Sequence, residues 1–293
     1  MYTLVNGVWI AGDSGIDSYV HNIDNDEAAR IRRFLLVVAI GTVAFVVVTI
    51  ALVITVPQWI GIVSHESERR FAEPHVNWVN DHLLSIVDGE RSDYVTTLGE
   101  SLAAEMDVPD DLELSFYVVD GDSPNGFATL GGHIYIVDSL IAELDNENSL
   151  AMVLAHEIGH AVNRDPLTGT GRGVLIQVMV SALSGGGFDP STTADFGVEM
   201  TLNSYSRQQE ERADTLALHA LNRYYGHIGG AEQLFESLLS GTALDDIPTF
   251  MSSHPQLEDR IAAIDRAAEE NGWARGETTP YPPEVTDALS WKL

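Results

Sequence analysis

A chain of 293 residues without a single cysteine forms neither disulfides nor thiolate metal sites, so any metal must be held by His, Asp or Glu. A formal net charge of −29 argues against nucleic acid as a partner. Lysine occurs once, at Lys292, and dense surface carboxylate with arginine as the basic residue fits a salt-adapted protein.

Residues 1–33 read as a short, loosely ordered polar arm, whose apolar start (Tyr2, Val5, Val8, Trp9, Ile10) leaves room for a small hairpin. Residues 34–56 carry no charge and nothing more polar than Thr. As a helix they extend about 34 Å, enough to cross a bilayer. Arg30, Arg32 and Arg33 precede this segment and Trp59 follows it. Against the weaker vote of Arg69 and Arg70, this asymmetry puts the N-terminus in the cytoplasm and the rest of the chain outside it, on the periplasmic or extracellular face.

Residues 64–106 repeat apolar positions at helical spacing (Val76, Val79, Leu83, Val87; then Tyr94, Leu98, Leu102), with a break at Asp88-Gly89. Over residues 112–138 the period changes to that of strands, around Leu114, Phe116 and Val118 and again at Ile134 and Ile136. Turns at 121–126 and at Gly131-Gly132 enclose a short strand at Phe127–Leu130. An edge strand here could pair with an extended peptide; a purely structural hairpin fits the pattern equally well.

The next helix carries Ala155-His156-Glu157-Ile158-Gly159-His160, with Leu150, Val153, Leu154 and Val162 as its apolar stripe. Asn148 or Ser149 can cap its start, and Pro166 stops it beyond Asp165. Histidines four apart point the same way one turn apart, so two neutral imidazoles can grip one zinc ion. Glu157 lies about 100° around the helix from His156, beside the metal, as a base for the attacking water. The bland alternative is a surface turn with two solvated histidines. Gly159 costs roughly 1 kcal/mol in a helix interior and is tolerable if another backbone passes close by. Gly173–Leu183 is apolar but too short to cross a membrane, and reads as a core helix or a flap, followed by a corner at Gly185-Gly186-Gly187. A long helix over 193–223 and others at about 229–240 and 255–271 precede a loose tail, 272–293.

A catalytic zinc takes a third protein ligand. The metzincin continuation would need Gly and His where this chain has Asn163 and Pro166, which excludes that class. Glu210 and Asp214 share a helix face, so Glu210 could bind zinc while Asp214 orients a ligand imidazole through its second nitrogen. Glu199, Glu211 and His219 remain rivals.

Four runs then line up in one order: Asn125-Gly126-Phe127-Ala128 with Gly131-Gly132; His156 to His160; Ser206-Arg207-Gln208-Gln209-Glu210-Glu211-Arg212-Ala213-Asp214; and His254-Pro255 with Arg260-Ile261. In these the chain resembles the M48-type zinc metalloproteases, the family of heat-shock-associated membrane proteases, prenyl proteases and mitochondrial stress proteases. The resemblance covers residues 112–265 and implies a mainly helical α+β zincin-like domain with a small sheet over 64–271, behind one N-terminal transmembrane helix. It implies one zinc per chain on His156, His160 and Glu210, Glu157 as base, Asp214 supporting a ligand, and a substrate strand marked by Asn125, Phe127 and Gly132. Gly126 stands where the family commonly has alanine. Only a short apolar run separates His160 from Glu210, so the chain is similar to the single-anchor branch. The implied function is a membrane-anchored endopeptidase in quality control of membrane or envelope proteins, with polypeptide substrates and the lipid bilayer as partners. A non-catalytic chaperone or adaptor on the same scaffold is the alternative. For His254 two roles are open: stabilising the oxyanion, or filling the fourth zinc position and holding the enzyme inactive.

Overall fold

The computed structural model describes residues 2–5, 8–11, 16–82, 84–184, 205–233, 235–236, 254 and 257–289. The hairpin near the N-terminus is present, β1 (Tyr2–Val5) pairing antiparallel with β2 (Val8–Ala11). From Ile16 the arm is helical. Helix α1 runs unbroken from Ile16 to Trp59, so the uncharged segment is the second half of a longer helix. Its most apolar window has a mean hydropathy of 3.0 and is 6% buried, long and apolar enough to cross a membrane. Thr49 and Thr55 turn their hydroxyls back onto the carbonyls of Phe45 and Ala51, leaving neither hydroxyl hydrogen exposed to an apolar solvent.

Helices α2 (His65–His82) and α3 (Glu90–Ala104) take up most of the helical repeat, with Gly89 at φ 109° in the break, but Val87 is not helical: α2 ends at His82, Ser85–Ile86 extend as a strand, and the Val87 amide donates to the Val118 carbonyl at 2.8 Å. Four strands, β3 (Ser85–Ile86), β4 (Ser115–Asp120), β5 (Gly126–Thr129) and β6 (His133–Val137), form a sheet in the order β3-β4-β6-β5. β4 runs parallel to β6 and β5 antiparallel to it, which leaves β5 at the edge. Gly126 and Ala128 turn to the core and Phe127 to the other face, where its ring stacks on Tyr135 at 5.0 Å. Gly132 lies outside this strand, in the tight turn Leu130–Gly132 at φ 81°. A Cβ there would stand 2.3 Å from the Glu113 carbonyl oxygen, so only glycine fits.

After α4 (Asp138–Glu143) comes α5 (Glu147–Val162), buried at every residue from Asn148 to Ala161. Its cap is Asn146 and not Asn148 or Ser149: the Asn146 side chain accepts from the Ser149 amide at 3.0 Å. Asn148 instead accepts from the Thr279 amide, and the Glu147 amide donates to the Thr279 carbonyl at 2.9 Å. The tail is therefore not loose. The amides opening α5 have no partner within the helix, and the tail supplies one. It continues into α9 (Pro283–Leu289), with Val285 buried against the core, after α7 (Arg207–Tyr225) and α8 (Leu257–Asn271).

Pro166 does not end the chain's helical run. Arg164 takes φ 57° and the chain restarts as α6 (Asp165–Ser184), with Pro166 in the first turn, where its missing N–H costs nothing. α6 packs along α1, with buried residues confined to its first half, so it is not a core helix over Gly173–Leu183. Among the described residues the helix expected over 193–223 begins only at Arg207, with Ser206 extended as its cap, and residues 229–232 of the helix expected near 229–240 are turns; residues 193–204, the 185–187 corner, and 234 and 237–240 lie outside the described residues.

Candidate metal centre and active site

The site forms where α5 crosses α7. A Cβ on Gly159 would lie 3.0 Å from the Ala213 Cα and 3.2 Å from its carbonyl oxygen, so the glycine is what lets the two backbones approach. That contact brings Glu210 over the histidines.

His156 and His160 face one another with their Nε2 atoms 3.0 Å apart and their rings perpendicular. Glu210 Oε2 lies 3.5 Å from the first and Oε1 3.4 Å from the second. His254 Nδ1 stands 3.2 Å from His156 Nε2 and 3.1 Å from Glu210 Oε1. All four side chains are buried, with one ligand atom from each within 4.8 Å of the others. These spacings suit a shared cation: ligand atoms about 2.0–2.1 Å from a tetrahedral zinc are about 3.3 Å apart. The Nε2 pair supports the same fit. Each ring has a carboxylate on its Nδ1 side that holds a hydrogen there, so in the neutral form each presents a bare Nε2 to the other.

Those carboxylates form matched supports. Asp214 Oδ1 is 2.9 Å from His156 Nδ1, and Asp165 Oδ2 is 2.8 Å from His160 Nδ1. Asp214 is clamped by Arg260, whose Nη2 and Nε donate at 2.6 and 2.9 Å and whose Nη1 lies 2.8 Å from Glu210. Asp165 accepts from Gln209 at 2.8 Å and Arg212 at 3.2 Å, and Gln209 is itself held in a capping box with Ser206. Burial alone would push the Glu210 carboxyl up, but His254, His156 and His160 hold it far below the ordinary carboxylate range. Against burial likewise, Arg260 and His156 hold Asp214 down. Burial disfavours charge on the His160 ring, yet Asp165 and Glu210 outweigh it and raise its pKa to about 9. On His254 burial wins and lowers the pKa.

Glu157 sits beside the cluster, fully buried, its Oε1 3.5 Å from His254 Nε2. Neither of its carboxylate oxygens has a hydrogen-bond partner among the described residues. A buried carboxylate without a donor is costly and is kept only where it has work to do.

Of the rivals to Glu210, Glu211 is exposed, His219 packs edge-on against Trp273, and Glu199 lies outside the described residues. Asn125 precedes the edge strand, its carbonyl accepting from the Val137 amide at 2.8 Å, and β5 itself packs on α5. Sequence reasoning missed Asp165 as a support and Arg260 as a clamp. Signals existed: Asp165 directly follows the metal helix, and Arg260 recurs in the His-Pro-x-x-x-x-Arg run. It also missed Tyr205, whose ring stacks on His160 with centroids 3.9 Å apart.

Comparison with known proteins agrees with this geometry. The model of peptidase family M48 matches residues 90–268. The beta-barrel assembly-enhancing protease of Escherichia coli (strain K12) is 28% identical over 198 residues, 63% of this chain and 39% of that protein. A protease HtpX homolog of Desulfatibacillum aliphaticivorans is 29% identical over 214 residues, 58% of this chain and 66% of its own. The mitochondrial metalloendopeptidase OMA1 of Schizosaccharomyces pombe is 28% identical over 161 residues, 53% of this chain and 47% of its own. The chain spans about two fifths of the length of the Escherichia coli relative. With the family model covering more than half of the sequence and His156, His160, Glu210 and His254 converging as described, the chain belongs to peptidase family M48.

Proposed function

We propose that this peptidase is a zinc-dependent endopeptidase, anchored by α1, that cleaves membrane or envelope polypeptides on the non-cytoplasmic side as part of their quality control. The observation that carries the chemistry is the buried convergence of His156, His160, Glu210 and His254 beside the unpartnered Glu157. Bound among those ligands, zinc supplies a Lewis acid that polarises the scissile carbonyl and acidifies water. Glu157 accepts the proton from the attacking water and returns it to the leaving amine. Asp214 and Asp165 keep both imidazoles in the tautomer with Nε2 free to coordinate. An extended substrate adds to the free side of β5, next to α5, with Asn125 and Phe127 at its border; main-chain bonding there is indifferent to side chains.

For His254, the approach of Nδ1 to within 3.2 Å of the ligand atoms of both His156 and Glu210 favours the fourth coordination position over an oxyanion donor. Seated there, the imidazole excludes water and substrate until it moves. His254→Ala then raises basal turnover; a slower enzyme with full metal would favour the oxyanion role instead.

The test of the chemistry is Glu157→Gln in the purified protein. Casein cleavage should fall about 10²–10⁴-fold with zinc content unchanged, because an amide cannot accept the proton. Residual cleavage near the wild-type rate would remove Glu157 as base. Orientation is tested by protease protection in spheroplasts, where a catalytic domain digested only after lysis would reverse the assignment.

A further inference from the structure

We propose that α6 is a second, half-depth membrane contact: its C-terminal half lies in the hydrocarbon of the leaflet nearest the catalytic domain, alongside α1. The inference rests on reading α1 as a membrane anchor.

The two helices are antiparallel. Arg164, just before α6, donates to the carbonyls of Ile60 at 3.1 Å and Val63, in the short turn that follows α1, while Gly171 lies against Val56 of α1, a Cβ there coming within 3.2 Å of Val56 Cγ1. Advancing along α6 therefore means going back up α1, towards the middle of its uncharged segment. Arg172 is the last charged residue of α6; from Gly173 to Ser184 there is none. That stretch extends about 18 Å along the helix, against a hydrocarbon thickness of about 30 Å, so it enters the bilayer without crossing it.

The burial pattern fits an apolar surrounding. Ile176, Val178, Val180 and Leu183 are 36%, 36%, 54% and 51% exposed, beyond the point where Leu175 shares a groove with Leu52 of α1. A helix that is apolar around more than one face and still exposed is at odds with water as its solvent. Between the helices lies a groove of about 320 Å³ walled by Leu52, Val56 and Trp59 of α1 and Leu167, Gly171 and Leu175 of α6. It is continuous with the apolar face of α1, so the occupant that suits both is lipid acyl chain. The first turn of α6 meanwhile carries Asp165, the support of His160. The metal centre thus sits close to the bilayer surface.

The chain has no cysteine, so single cysteines can be introduced and spin-labelled in the full-length protein. Val180→Cys and Leu183→Cys are compared with Val43→Cys in α1 and the exposed Tyr224→Cys in α7, in phosphatidylcholine–phosphatidylglycerol vesicles. Collision with dissolved oxygen reports lipid, and collision with a water-soluble nickel chelate reports water. The expected result is loss of nickel collision and high oxygen collision at 180 and 183, as at 43, with the reverse at 224. Nickel collision at 180 and 183 while 43 remains in lipid overturns the inference and leaves the anchor standing. Loss of both collisions at 180 and 183 overturns it too, showing a protein cover such as a second copy. Nickel collision at 43 itself removes the anchor and the inference together.

Discussion

Helices α1 and α5 are both rich in Leu, Val, Ile and Ala, yet they meet opposite surroundings. α5 is buried along nearly its whole length, whereas the apolar window of α1 is 6% buried. Inside protein a polar group without a partner is costly, so the polar groups of α5 are informative: two imidazoles have carboxylates on one nitrogen and each other and Glu210 on the second, while Glu157 has no hydrogen bond among the described residues and only His254 3.5 Å away. Along the exposed stretch of α1 the informative feature is the lack of charge, with the hydroxyls of Thr49 and Thr55 satisfied within the helix itself. One helix gathers its polar groups into a buried cluster; the other presents apolar side chains on an exposed surface.

The same substitution should therefore fail in different ways. Leu154→Arg in α5 buries an unpaired charge at a position with no exposure, costing on the order of 5 kcal/mol, enough to unfold a typical domain. Val47→Arg in α1 should spare the catalytic fold but cost about 2.5–3.5 kcal/mol of membrane insertion. Circular dichroism separates the first outcome, and membrane flotation the second. Equal loss of fold in both would erase the distinction.

Within the site, Glu210→Ala should lose metal while Glu211→Ala, on the exposed face of the same helix, keeps it. Metal analysis of the two purified variants reads this directly, and equal retention would mean that another carboxylate is the ligand. A smaller loss is expected for the supports: Asp165→Asn and Asp214→Asn should each weaken zinc by about 10–100-fold in chelator competition, with similar size because their geometry is similar.

How much of this could be read from residues alone follows the range of the interactions. The histidine pair, Glu157 between them and the strand periods are local spacings, and each stands where its spacing puts it. Gly159 was legible as a close approach, though not what approaches it, since Ala213 is 54 positions further on. Asn148 and Ser149 were reasonable caps by type, but the choice of Asn146 depends on Thr279 claiming Asn148. Likewise the turn at Arg164 is fixed by Glu68 and by the end of α1, contacts across about a hundred residues. An apolar run too short to span a bilayer gave no sign that it would lie beside one long enough.

The smallest effect concerns the sheet. Burial, with Arg69 nearby, lowers the His133 pKa to about 4, so the ring is neutral in the fold but takes a proton near pH 6.5 when unfolded. Stability present above about pH 6.5 is then lost as pH falls towards about 4, by about 1 kcal/mol at about pH 5.5. Urea unfolding across that range should show a shallower acid slope in His133→Gln, and an unchanged slope would assign the acid sensitivity elsewhere.

The central claim is that one zinc is shared by three imidazoles and one carboxylate, with His254 as the removable ligand. Zinc-edge X-ray absorption on the purified full-length protein tests it most directly. The account predicts a four-coordinate nitrogen and oxygen shell with strong imidazole scattering, which weakens by one ring in His254→Ala while zinc stays bound. Identical spectra for the two proteins, or a wild-type shell without imidazole scattering, would contradict it.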